Sequence, residues 1–163
     1  MNPAGLVPTF MMGEGTVLTQ SLAIIDYIEA MHPAPLLLPS DPLKRAHVLE
    51  LVNTVACDTH PLQNLRVLQS YPEAERPERA KQVITEGLQV FETLLRQSGR
   101  YCVGDKVTLA DVVLVPQVYN AVRWGVDMTA FPKIGAIMER LRMMPAFVAA
   151  HPDSQPDSPN HQQ

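Results

Sequence analysis

Cysteine is scarce in this 163-residue chain: only Cys57 and Cys102 occur, with no CxxC pair and no His/Cys spacing of a metal-ligand kind. That excludes a disulfide scaffold and a structural zinc site, and it fits a reducing compartment. An excess of basic charge is lacking too. Lys and Arg number 13 against 17 Asp and Glu, giving a formal net charge of -4 and a sequence pI near 5.7. Phosphate backbones attract basic surfaces, so nucleic acid is not an expected partner. No apolar run reaches membrane-spanning length, and Met1-Asn2-Pro3 has no basic segment of the signal-peptide kind. The expected address is therefore cytoplasmic, with no membrane partner. Charged residues make up only 18% of the chain while hydrophobic ones make up 46%, which is the balance of a soluble, packed protein rather than a disordered one.

What is present begins with turn chemistry at Asn2-Pro3-Ala4-Gly5, followed by an apolar run from Leu6 to Met12 that reads as a buried strand interrupted by Pro8. A residue without an N–H has no place in a central ladder, so Pro8 marks a strand start, an edge or a cis turn. Gly13-Glu14-Gly15 and Thr16-Val17-Leu18 then complete a hairpin pattern. From Ser21 to His32 the apolar positions Leu22, Ile25, Ile28 and Ile24, Tyr27, Met31 recur at three-to-four spacing, which predicts a helix capped by Ser21. Four prolines between Pro33 and Pro42 exclude helix and read as a linker. Downstream the pattern is helical throughout: about Leu43 to Gln69, about Glu78 to Arg96, Leu109 to Trp124, and shorter helices after Pro132 and Pro145. The domains expected are 1–34, a linker 35–40, an all-helical domain 41–151 and a disordered tail 152–163, the last because Pro152 onward is polar and rich in proline.

Thr108-Leu109-Ala110-Asp111 is a capping-box arrangement, with Val107 and Val112 as its hydrophobic staple. Together with Tyr101-Cys102-Val103-Gly104-Asp105 just before it, this resembles the folding motif of the glutathione transferase helical domain. Asn2-Pro3, Gly5-Leu6-Val7-Pro8-Thr9 and Thr19-Gln20-Ser21-Leu22-Ala23 resemble the glutathione-binding half of the thioredoxin-like domain, in the same order. Leu37-Leu38-Pro39, His60-Pro61-Leu62-Gln63-Asn64-Leu65 and Leu114-Val115-Pro116-Gln117-Val118-Tyr119-Asn120-Ala121 are similar to segments of the zeta class, the maleylacetoacetate isomerases. The resemblance runs from Asn2 to about Asp157. It implies an α+β two-domain glutathione-transferase fold, with a truncated thioredoxin-like α/β domain followed by an all-α domain, and a homodimer. It also implies glutathione as a regenerated cofactor and a dicarboxylate substrate. The reaction would be cis–trans isomerisation of maleylacetoacetate to fumarylacetoacetate, in tyrosine and phenylalanine breakdown. The class carries a strand, a helix and a second strand ahead of the Asn-Pro segment, with Ser-Ser-Cys at the helix start. None of these residues precedes Asn2 here, so no catalytic residue is assigned. Conjugation of glutathione to small halogenated or electrophilic acids is one alternative, and a non-catalytic fragment or interaction module is another.

The resemblance gives site residues, and each has an ordinary structural reading beside it. Val7 would offer its backbone N–H and C=O to the cysteinyl part of glutathione, or be a plain strand valine. Gln20 and Ser21 open a helix whose N-terminus suits the γ-glutamyl carboxylate, or Ser21 is simply a cap. His60 and Asn64 stand four apart, on one helix face, near glutathione; a satisfied buried histidine is the other reading of His60. Arg66 matches in position an arginine proposed to hold the organic acid in bacterial relatives. Arg123 resembles the arginine that binds the substrate carboxylate, or else it complements a helix C-terminus. Cys57 and Cys102 read as buried packing residues, and no metal site is expected.

Overall fold

A computed structural model of the chain describes residues 2–96 and 98–158. It forms two compact units that divide between Leu37 and Leu38, within the proline-rich stretch.

In the first unit, β1 (Thr9–Met11) and β2 (Val17–Thr19) pair antiparallel, with Thr9 opposite Thr19 and Met11 opposite Val17. A 3-10 turn at Gly13–Gly15 joins them, and Gly15 takes φ +79°, a backbone that a side chain would resist. The run from Leu6 to Met12 is not one buried strand. Val7 lies ahead of the strand and is 92% exposed, because Pro8 brings no N–H to a ladder. The Val7–Pro8 peptide is cis. Helix α1 (Ser21–Met31) packs on the hairpin through Tyr27, whose ring centre lies 6.3 Å from that of Phe10, and through buried Ile24. Met11, Ile28, Met31 and Leu36 remain exposed.

The second unit is helical. The segment expected as one helix over residues 43–69 breaks into four pieces: α2 (Pro42–Asn53), a π-helical turn Thr54–Thr59, a 3-10 turn His60–Gln63, and α3 (Leu65–Leu68). The cause is local. Pro61 removes an N–H and its ring opposes the carbonyl four residues back, so the preceding turn widens. Two hydroxyls occupy carbonyls in that wide turn: Thr54 Oγ1 donates to Glu50 C=O at 2.9 Å and Thr59 Oγ1 to Thr54 C=O at 2.7 Å. Helix α4 (Arg76–Leu94) meets the turn at Gly87, where a Cβ would run into the Thr59 side chain. Then come α5 (Leu109–Arg123), α6 (Pro132–Leu141) and α7 (Pro145–Ala149).

The core of this unit is built from Val48 and Leu51 of α2, Ile84, Leu88 and Phe91 of α4, Leu114 of α5, and Ile134 and Leu141 of α6, with Phe131 between helices. Each such side chain contributes about 1.5–3 kcal/mol on burial. Buried Glu92 adds a long-range cap: its two carboxylate oxygens accept from the N–H groups of Lys133 and Ile134, both at 2.9 Å, at the start of α6. Residues 152–158, assigned above to a disordered tail, contain a 3-10 turn at Pro152–Ser154, and Gln155 Nε2 donates to the Ala149 and His151 carbonyls at 2.8 and 3.0 Å. Residues 159–163 lie outside the described residues. Among the described residues no helix is long and apolar enough to cross a membrane. Cys102 is fully buried, and desolvation pushes its thiol far up, whereas Cys57 is exposed rather than packed.

Glu50 joins α2 to the residues after α4: its carboxylate takes His47 Nδ1 at 2.8 Å and Arg96 Nη2 at 3.0 Å. The His47 hydrogen bond, with the Arg96 charge, holds its carboxyl below the ordinary value of 4.5. A depressed folded value means that the contribution is present above the unfolded pKa and is lost as pH falls through the folded one. Glu50→Gln is therefore expected to flatten the acid limb of the stability profile below about pH 4.5. The effect will be small and salt-sensitive, since the side chain is 41% exposed. Urea melts of both proteins across that range check this, and superimposable acid limbs would refute it.

Candidate functional site

Each unit carries candidate ligand-facing features, described here unit by unit. In the first, α1 begins without side-chain help. Among the described residues no side chain caps it, no acidic residue lies in its first turn, and its first backbone bond runs from Ile24 N–H to Gln20 C=O at 3.0 Å. The N–H groups of Ser21, Leu22 and Ala23 therefore stand at a positive dipole end with no helical partner, an arrangement that attracts a carboxylate. Ser21 is the first helical residue and not the N-cap; Gln20 holds that place. Gln20 sits at φ 72° and ψ 117°, a backbone region costly for a side chain by about 1–3 kcal/mol and found at ligand clamps. Nothing in the sequence marks this strain. Nearby in sequence, the exposed Val7 backbone meets no hydrogen-bond partner among the described residues.

In the second unit, the 3-10 turn carries His60 at its start and Asn64 just beyond its end, so the two do not share a helix face. Asn64 has an extended backbone at φ −62° and ψ 140°, and its Oδ1 caps α3 by accepting from Arg66 N–H at 3.1 Å. His60 is exposed, so the buried-histidine reading of it fails; Arg66 is exposed on α3. Arg123 ends α5, exposed, with its guanidinium 6.0 Å from the Tyr119 ring centre. Among the described residues no carboxylate pairs with it. An uncommitted guanidinium fork is suited to a planar carboxylate. Tyr119 in turn is held by the segment after α7: its hydroxyl donates to Asp153 Oδ1 at 3.2 Å, and the His151 ring meets it edge-on at 5.4 Å.

Comparison with known proteins bears on both parts. Residues 1–36 match the model of the glutathione S-transferase N-terminal domain and residues 60–151 that of the C-terminal domain. A probable maleylacetoacetate isomerase of Caenorhabditis elegans is 48% identical over 162 residues, covering 97% of this chain and 75% of that protein. The chain belongs to the zeta-class glutathione transferases. A bacterial maleyl pyruvate isomerase described as a zeta-class transferase superposes with a TM-score of 0.91 at 41% identity, covering 96% of this chain and 78% of that one. The maleylacetoacetate isomerase of Anaeromyxobacter dehalogenans 2CP-1, solved with dicarboxyethyl glutathione and citrate in its active site, superposes with a TM-score of 0.90 at 39% identity, covering 98% of this chain and 76% of that one.

The fold is thus the glutathione transferase one, an N-terminal unit with a two-stranded sheet followed by a mostly helical unit. Within this zeta-class chain the structure also shows buried polar residues that the sequence reading passed over. Gln63 and Gln117 are buried, and with Asn120 they form a chain of side-chain amides between the 3-10 turn and α5. Single glutamines carry no periodic signal, so only their place inside the quoted zeta-class segments would have drawn notice.

Proposed function

We propose that the chain acts as a glutathione-dependent isomerase converting maleylacetoacetate to fumarylacetoacetate, in the breakdown of tyrosine and phenylalanine. The observation that carries this reading is the 48% identity to an isomerase over nearly the whole chain. The isomerase names of its relatives favour it over conjugation to halogenated acids and over a non-catalytic module. We further propose a cytoplasmic homodimer, built of a glutathione-binding domain over 1–34, a linker at 35–40 and a helical domain over 41–151.

Glutathione fits the residues present. A peptide with a free α-carboxylate finds unpaired N–H groups at the start of α1, where Gln20 and Ser21 would hold its γ-glutamyl end. The open Val7 backbone would pair with its cysteinyl amide, and His60 and Asn64 supply further polar contacts. When bound, glutathione supplies a thiol for reversible addition to a conjugated double bond. Arg123 would orient the substrate through a carboxylate, with Arg66 as a second cation.

Ser21→Asp tests the α1 end by giving opposite signs in two readouts. A carboxylate placed there stabilises the helix by about 0.5 kcal/mol while occupying the donors that the ligand needs. Calorimetric titration should show glutathione affinity lowered about tenfold or more, equivalent to 1.4 kcal/mol, with no loss in melting temperature. Unchanged affinity would remove α1 from the site.

A further inference from the structure

The Gln63 amide is a three-way junction. Its Nε2 donates to Gln117 Oε1 at 2.6 Å and lies 3.4 Å from His60 Nδ1, while its Oε1 accepts from Asn120 Nδ2 at 2.8 Å. Gln63 and Gln117 are only 4% and 2% exposed, so these bonds form away from water, where an amide left unpaired costs about 1–3 kcal/mol. Among the described residues Gln117 Nε2 is in fact left without a partner. Apolar side chains of similar volume would fill this space without that penalty. What amides add is direction: each bond fixes where its partner stands.

The two elements joined in this way are those carrying the second unit's polar site residues. Gln63 lies in the turn bounded by His60 and Asn64, a turn of one 3-10 coil that has little rigidity of its own. Gln117 and Asn120 are spaced three apart on α5, and Arg123 lies one turn beyond Asn120 at the helix end. We propose that Gln63 is a positioning residue: through Asn120 and Gln117 it holds the His60–Asn64 turn in register with the C-terminal half of α5, which ends in Arg123, coupling the glutathione contacts to the acid contact. This rests on the functional reading above, and the test separates the two.

Reduced glutathione and malonate, a simple dicarboxylate, are titrated separately into the chain by calorimetry, for wild type, Gln63→Leu, Asn120→Asp and the double variant. The expected signature is crossed. Asn120→Asp, on the acid-side helix and half-buried, weakens glutathione about fivefold. Gln63→Leu, on the glutathione-side turn, weakens malonate to a similar extent, and the double variant loses no more than the worse single one. Asn120→Asp keeps the side-chain volume and removes the donor to Gln63, so it reports even if Gln63→Leu fails to fold. A merely structural role predicts a lower melting temperature with both affinities unchanged. That result, or additive losses, or losses confined to each residue's own side, would overturn the coupling. Wild type binding neither probe would instead refute the functional reading.

Discussion

Replacing Asp111 with alanine is expected to destabilise the helical unit by about 4 kcal/mol, the sum of two buried N–H groups and a hydroxyl losing a charged acceptor. The carboxylate is fully buried. One oxygen accepts from the Thr108 N–H at 2.8 Å and the Thr108 hydroxyl at 2.9 Å, which fixes the start of α5. The other accepts from the Cys102 N–H at 2.9 Å and so ties down the loop that leads into the helix. A capping residue on a surface helix contributes about 1 kcal/mol; here the same residue also anchors a second segment in a dry environment, and removal orphans both. Urea unfolding is the check, with the midpoint shifted and the slope unchanged. Asp127→Ala is the matching control. Asp127 caps a 3-10 turn by accepting from Thr129 at the exposed surface, where water can replace it, so its loss should be much smaller. Equal effects at the two positions would show that burial of the Asp111 carboxylate is not what stabilises α5.

Arg123→Leu should raise the dissociation constant for malonate by about 30-fold or more, the effect of losing a hydrogen-bonded charge partner of roughly 2 kcal/mol. Stability should change little, because the guanidinium is exposed and its contact with the Tyr119 ring is worth about 0.5–1 kcal/mol. Arg123→Lys keeps the charge but loses the planar fork, and an intermediate affinity is expected. Binding of malonate unaltered in Arg123→Leu would assign Arg123 to the helix terminus alone, the other reading that its position allows.

Much of this architecture is legible in the residues. The Gly13-Glu14-Gly15 turn, the three-to-four spacing after Ser21 and the capping box at Thr108 each encode local structure, and local structure is what sequence patterns report. The effects of the prolines are only partly legible. Pro8 shortens β1 and leaves Val7 exposed, and Pro61 turns the end of a long helix into π and 3-10 turns, which moves His60 and Asn64 off a common face. Such changes depend on how a helix relaxes around a missing N–H, which composition does not specify. The remaining features join distant residues: Glu92 with the N–H groups of Lys133 and Ile134, Asp111 with Cys102, and Gln63 with Gln117 and Asn120. A glutamine or glutamate inside an amphipathic helix looks solvent-facing until the fold buries it. For the proposed site, family motifs point to Arg123 and the start of α1, whereas the strained Gln20 backbone has no sequence signal.

The central claim is tested most directly by proton NMR of maleylacetoacetate incubated with the chain, with and without reduced glutathione. The account predicts that the cis-alkene signals are replaced by trans ones at a rate that saturates with glutathione, with glutathione itself recovered unchanged and no conversion by the chain in its absence. Conversion that does not depend on glutathione, or none by a chain that demonstrably binds it, would contradict the account.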